Sequence, residues 1–164
     1  MRRGLMQIGS WLLLPYWLFR AWLPGGQRDQ PSLTEEELAD WAEREFRYAL
    51  QAVAVSAPEQ IQALSPGHVP EETINEFKFC SEAFLSLAPK GMSAALAEQI
   101  HQLAEDLWAL PEDVFSQDTD PGCMARPEWA PLRQRAKRIL RELNWPIEPP
   151  PPYVYNGRGV YERR

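Results

Sequence analysis

Three side chains in one stretch of the chain have the types and spacing of a general acid–base site. Glu98, His101 and Glu105 are separated by three and four residues, so on a helix they share one face. A histidine held by carboxylates can accept and return a proton near neutral pH. Catalysis also needs a nucleophile, an oxyanion donor or a glycine-rich phosphate loop, and the sequence places none beside them. We therefore favour a solvated helix face over a catalytic site.

Two further patterns have some of the features of metal sites. Glu98 and His101 reproduce the ExxH spacing of di-iron bundles, but that site needs two such motifs and two more carboxylates on facing helices. Asp118 and Asp120 lie in a predicted loop that lacks the twelve-residue calcium pattern and its closing glutamate. We predict no metal, no cofactor and no enzymatic activity.

The two cysteines carry no redox or metal signature. Cys80 and Cys123 lack CxxC spacing, and His68 and His101 are near neither of them in sequence. Cys80 falls in an apolar helical run, which predicts a small core residue, and Cys123 falls in the predicted loop. The sequence leaves open whether the two thiols form a disulfide.

Charge is distributed unevenly along the 164 residues, whose net charge is −6. Residues 1–30 carry +3, residues 31–125 carry −14 and residues 126–164 carry +5. An acidic body repels phosphate backbones and attracts basic proteins at an enhanced, salt-sensitive rate. The charges predict a protein partner and argue against nucleic acid.

Apolar residues at helical spacing organise residues 31–145. The predicted elements are a first helix behind the caps Ser32 and Thr34, a short helix at Pro58 to Leu64, a helix from Pro70 to the break at Pro89, a helix from Ser93 to Pro111, and a last helix from Pro127 to Leu143. Residues 112–126 are predicted to be a loop. Four main helices with short connections predict an all-α fold, an antiparallel bundle with one additional short helix.

Residues 146–164 form a proline-rich arm beyond this bundle. Pro149 to Pro152 predict an extended polyproline segment, and tyrosines and arginines follow it. Val154, Tyr155, Val160 and Tyr161 around Asn156-Gly157 fit a small hairpin. Two interpretations stay open, of which we favour the first: the arm straps back across the bundle, or it is a free ligand for an aromatic-lined groove.

Residues 1–30 need separate treatment because they are strongly apolar. The stretch from Trp11 to Phe19 is short for a membrane span and contains Pro15. Trp11, Trp17 and Trp22 with flanking arginines suit a segment that lies at a membrane surface through residues 1–25. The alternative is a start codon assigned too far upstream, so that the segment is not part of the mature protein.

Short motifs follow the helices in a fixed order over residues 34–155. They are Phe46-Arg47-Tyr48-Ala49-Leu50, Gln60, Val69-Pro70-Glu71-Glu72, Pro127-Glu128-Trp129, Arg138-Ile139-Leu140 and Asn144-Trp145-Pro146. This order resembles a group of small uncharacterised bacterial helical proteins, similar in size and character to immunity-type proteins encoded beside secreted toxins. The resemblance implies a cytoplasmic antidote that binds and occludes a basic, nucleic-acid-degrading toxin. It carries no catalytic motif.

The resulting hypothesis is a non-catalytic, acidic protein-binding module. The alternative is a membrane-attached helical adaptor, peripheral at the inner membrane. The predicted partner-binding residues are Glu36, Asp40 and Glu43 on the first helix, Glu98, Glu105 and Asp106 on the helix after Ser93, and Tyr153 and Tyr155 in the arm.

Overall fold

Helices make up nearly all of the regular structure in the described part of this computed structural model, which is residues 34–65, 67–87, 91–115, 120–155 and 161–163. The elements are α1 (Glu35–Ala54), α2 (Ala57–Leu64), α3 (Val69–Ser86), α4 (Ala94–Trp108), α5 (Glu112–Phe115), α6 (Asp120–Met124), α7 (Trp129–Glu142), β1 (Tyr153–Tyr155) and β2 (Tyr161–Arg163). The predicted all-α fold class is confirmed.

The starts of α1 and α4 coincide with polar caps that the sequence supplies. Thr34 and Glu37 form a capping box, in which the hydroxyl oxygen of Thr34 accepts from the Glu37 amide and the Glu37 carboxylate accepts from the Thr34 amide. Ser93 accepts a hydrogen bond from the amide of Leu96 at the start of α4. These bonds satisfy amide groups that a helix leaves without partners in its first turn.

The four long helices contact one another in a closed cycle. α1 contacts α3 and α7, α3 also contacts α4, and α4 contacts α7. Among the described residues, the diagonal pairs α1–α4 and α3–α7 make at most slight contact. Consequently, α1 and α4 occupy opposite corners of the cycle. The antiparallel orientation of neighbouring helices stays a prediction.

Large apolar side chains fill the space inside this cycle. The fully buried ones include Phe46 on α1, Phe77 on α3, Ile100 and Leu103 on α4, and Trp129 on α7. Phe46 stacks on Phe84 with ring centroids 4.6 Å apart. The apolar faces of α1, α3, α4 and α7 therefore pack together in one common core.

The prediction of a loop over residues 112–126 is wrong in part, because this region contains the short helices α5 and α6. Both are shorter than the span over which apolar periodicity can be recognised. Cys123 and Met124 are fully buried in α6, which contacts α2 and α3. Cys80 and Cys123 are not joined by a disulfide. Asp118 lies outside the described residues.

A buried glutamine joins the short helices to the long ones. The Gln60 amide nitrogen donates to the carbonyl of Ala52 at 2.9 Å, and its oxygen accepts from Arg133 at 2.7 Å. Arg133 also donates to the carbonyl of Met124. One polar side chain thereby connects the last turn of α1 with α2, and through Arg133 with α6 and α7.

A left-handed turn ends α7 and redirects the chain. Asn144 has φ of 56°, and the amides of Asn144 and Trp145 bond back to the carbonyls of Arg141 and Leu140. This is the Schellman pattern, in which asparagine tolerates the left-handed conformation. The turn directs Trp145 back towards the core, where its ring lies 5.9 Å from each of Phe46 and Phe84.

In its described residues, the arm packs across the helices. The side-chain amide nitrogen Nε2 of Gln51 donates to the carbonyl of Pro146 at 3.0 Å, and residues 146–152 run beside Arg47 and Tyr48 of α1. β1 pairs with β2 in antiparallel register, with Tyr153 opposite Arg163 and Tyr155 opposite Tyr161. The favoured strap and the small hairpin are both confirmed, while the predicted turn at Asn156-Gly157 lies outside the described residues.

The apolar segment 1–30, with its membrane-surface and start-codon interpretations, also lies outside the described residues. Within those residues, no helix has the length and apolar character needed to cross a bilayer.

We predict that Asn144 determines the stability of the turn. Asn144→Val should lower the free energy of unfolding by about 1–2 kcal/mol, because a β-branched residue is strained at positive φ. Asn144→Gly should leave it unchanged or raise it, because glycine adopts this conformation without strain. Denaturant unfolding of the three proteins measures both effects. Equal losses in the two variants would contradict the assigned turn.

Candidate protein-binding surface

α4 separates its side chains into an inward apolar line and an outward polar one. Leu96, Ile100, Leu103 and Leu107 are buried in the core. Four side chains at spacings of three and four residues are exposed on the opposite side; they are Glu98, His101, Glu105 and Trp108. We call Glu98, Glu105 and Trp108 the α4 surface.

Of the tryptophans in the described residues, Trp108 is the one that is exposed. Its exposed fraction is 56%, whereas Trp129 is fully buried and Trp41 and Trp145 are partly buried. The ammonium group of Lys78 on α3 lies 4.1 Å from the centroid of the Trp108 ring, which holds the indole in a cation–π contact. Tryptophan is enriched among the residues that dominate binding energy at protein interfaces. Trp108 is therefore the largest exposed aromatic side chain of α4, and it is of a type suited to anchor an interface.

The acidic residues of α4 differ in what they contact. Among the described residues, Glu98 and Glu105 form no ion pair. Asp106 is ion-paired with Arg135 of α7 and accepts from Gln102 at 2.9 Å. The charges of Glu98 and Glu105 are thus available to a partner. Asp106, which the sequence placed among the partner-binding residues, links α4 to α7.

A second acidic line runs along α1. Glu36, Asp40 and Glu43 are exposed at spacings of four and three residues, and they form no ion pair within the described part of the chain. Because α1 and α4 stand at opposite corners of the helix cycle, the acidic residues predicted from sequence lie on two separate helices and do not form one surface.

The two predicted tyrosines also separate. The Tyr153 hydroxyl donates to Glu76 of α3 at 3.3 Å, and its side chain packs against the core. Tyr155 is 54% exposed. Tyr153 therefore seats the arm, and only Tyr155 is presented to solvent.

A buried ion pair lies beneath the hairpin. The guanidinium of Arg163 contacts both carboxylate oxygens of Glu76, at 2.6 and 2.9 Å, and the two side chains are 5% and 14% exposed. Arg163 also lies over the rings of Tyr153, at 4.5 Å, and Tyr48, at 5.6 Å. Burial raises the pKa of Glu76, and the charge of Arg163 opposes this shift. Burial and the nearby Glu76 charge raise the pKa of Tyr153.

The two histidines have different surroundings in the described residues. His101 is exposed on the outside of α4. His68 lies 3.6 Å from a carboxylate oxygen of Glu71 and 3.7 Å from one of Asp120. Within the same residues, no group of three or more histidine, cysteine or acidic side chains has the arrangement of a metal site.

Sequence reasoning missed Trp108, although a signal was present. The apolar line Leu96, Ile100, Leu103 and Leu107 defines the inward direction of α4, and Trp108 falls outside it. An aromatic residue on the polar side of an amphipathic helix predicts an exposed aromatic side chain. Lys78 could not be paired with Trp108 in advance, because that contact depends on how α3 lies against α4.

A scan against protein-family models finds no match, and searches of curated proteins and of solved structures find no significant match to the chain. The resemblance to immunity-type proteins stays a prediction.

We predict that Trp108 contributes little to folding. Trp108→Ala should lower the free energy of unfolding by about 1 kcal/mol or less, because the side chain is exposed and its contact with Lys78 is solvated. Trp129→Ala, the matched control from the core, should lower it by about 3–5 kcal/mol. Chemical denaturation measures both. A loss at Trp108 as large as that at Trp129 would show that Trp108 is a packing residue.

Proposed function

We propose that the protein is a non-catalytic binding module that engages a basic protein through the α4 surface. The observation that carries this proposal is the exposed indole of Trp108 on the same helix line as Glu98 and Glu105, two acidic residues without an ion pair in the described part of the chain. An aromatic anchor bordered by negative charge is complementary to a protein surface with an apolar recess among lysines and arginines.

The interaction should combine two physical contributions. Burying the indole removes apolar area from water and accounts for most of the affinity. Glu98 and Glu105 accelerate the encounter with a positively charged partner and make the association salt-dependent. Neither contribution requires a covalent bond to be made or broken. The module would therefore act by covering a surface of its partner.

We further propose that this partner is a toxin encoded beside the gene, as the resemblance to immunity-type proteins implies. An inhibitor of this kind works by covering its target in a stoichiometric complex. A nucleic-acid-degrading toxin carries a basic surface for its substrate, which suits the acidic exterior of α4.

We predict a one-to-one complex with the product of the adjacent open reading frame. Titration calorimetry at low and at high salt should show binding that weakens as salt rises. Trp108→Ala should weaken it by about 30-fold or more, the effect typical of an interface anchor. Absence of a complex, or equal affinity of Trp108→Ala and the natural protein, would contradict the proposal.

The second acidic surface provides a matched control for charge. Glu98→Gln with Glu105→Gln and Glu36→Gln with Glu43→Gln each remove two negative charges from one helix. Only the α4 pair should slow association substantially. An equal effect of the two double variants would show that net charge, and not the α4 surface, drives binding.

A further inference from the structure

The contact between Arg163 and the helices has the form of a ligand in a binding pocket. Glu76 of α3 and Tyr48 of α1 supply a carboxylate and an aromatic ring, and the hairpin inserts a guanidinium that is almost fully buried between them. Both oxygens of Glu76 face nitrogen atoms of Arg163, which is the two-point recognition that suits arginine and not lysine. The helices therefore contain an arginine pocket, defined by Tyr48 and Glu76.

The arm fills this pocket imperfectly. Among the described residues, Nε of Arg163 is buried without a hydrogen-bond partner, whereas Nη1 and Nη2 contact Glu76 at 2.6 and 2.9 Å. Buried donors without acceptors weaken a bound state. Arg47 also lies 5.6 Å from the centroid of the Tyr48 ring, so a second positive charge contacts the ring that Arg163 contacts. An arginine with better geometry would bind more favourably.

The arm is also attached to the helices by few interactions. Residues 146–152 leave a groove of about 510 Å³ against α1, lined by Arg47, Tyr48 and Gln51. In the described part of the chain, neither hairpin strand makes extensive backbone contact with a helix. A two-stranded hairpin is marginally stable by itself, so its position depends on the inserted side chains Tyr153 and Arg163.

We propose that the arginine pocket is a binding site for an arginine of a partner protein, and that Arg163 is an intramolecular occupant which that arginine displaces. The charge of Glu76, with Glu45 nearby, favours a cationic occupant. Tyr153, which lies opposite Arg163 across the hairpin, stacks on its guanidinium, so we expect a ligand that places an aromatic residue against its arginine. The pocket involves no residue of the α4 surface, so the inference stands independently of the proposed function.

A synthetic peptide with the sequence of residues 153–164 tests this directly. A tethered occupant competes at an effective concentration in the millimolar range, so the peptide should bind the full-length Arg163→Ala variant at least about tenfold more tightly than the natural protein. Adding Glu76→Gln to that variant should abolish binding. A peptide carrying Arg163→Lys should bind far more weakly, because lysine cannot contact both carboxylate oxygens.

Two controls keep the outcome decisive. The full-length Arg163→Lys variant retains a buried cation if Arg163→Ala does not fold, and it should also bind the peptide more tightly than the natural protein. Trp108→Ala should leave peptide binding unchanged, which separates this test from that of the α4 surface. Equal peptide affinity for the natural protein and the Arg163 variants would overturn the proposal. So would a dimer of the natural protein that Arg163→Ala dissociates, because the occupant would then be a second copy of the chain.

Discussion

The packing of Trp145 against Phe46 and Phe84 is the contact on which the rest of the structure depends. This contact joins the end of α7 to α1 and α3. The Trp145 ring reaches it because Asn144 adopts a left-handed conformation, which turns the chain back. Everything that follows in the chain takes its direction from this point. The proline segment crosses α1 because Trp145 is fixed there, and the hairpin reaches Glu76 because that segment crosses α1.

The acidic and basic segments of the sequence lie next to each other in the fold, and part of their charge is neutralised there. The basic helix α7 lies beside the acidic helix α4, where Arg135 pairs with Asp106. Arg163 likewise neutralises Glu76 inside the protein. The negative charge presented outward is therefore concentrated in residues without such contacts, of which Glu98 and Glu105 lie on the helix line of an exposed tryptophan. For that reason we favour α4 over α1 as the candidate binding surface. In the described chain, the acidic line of α1 has no comparable exposed aromatic residue beside it.

Local sequence signals were sufficient to predict the long helices. The capping residues Thr34 and Ser93 and the apolar stripes can be recognised within one or two helical turns. They were insufficient for α5 and α6, whose five or fewer residues cannot show a helical period, although Asp120-Pro121 is a recognisable helix start. The pairing of Arg163 with Glu76 joins residues 87 positions apart, and no spacing rule predicts it. Of the predicted binding residues, Glu98 and Glu105 lie in the favoured surface. Asp106 and Tyr153 make contacts within the protein, which depend on the placement of α7 and α3.

Hydroxyl-radical footprinting shows whether Trp108 anchors a protein interface. Oxidation of the Trp108 indole is expected to be rapid in the isolated protein, because the ring is exposed, and to fall markedly when the protein encoded beside the gene is added. Oxidation of Leu87, which is exposed after the end of α3, provides the internal reference. A complex that forms while Trp108 is oxidised as fast as before would show that Trp108 is not the anchor.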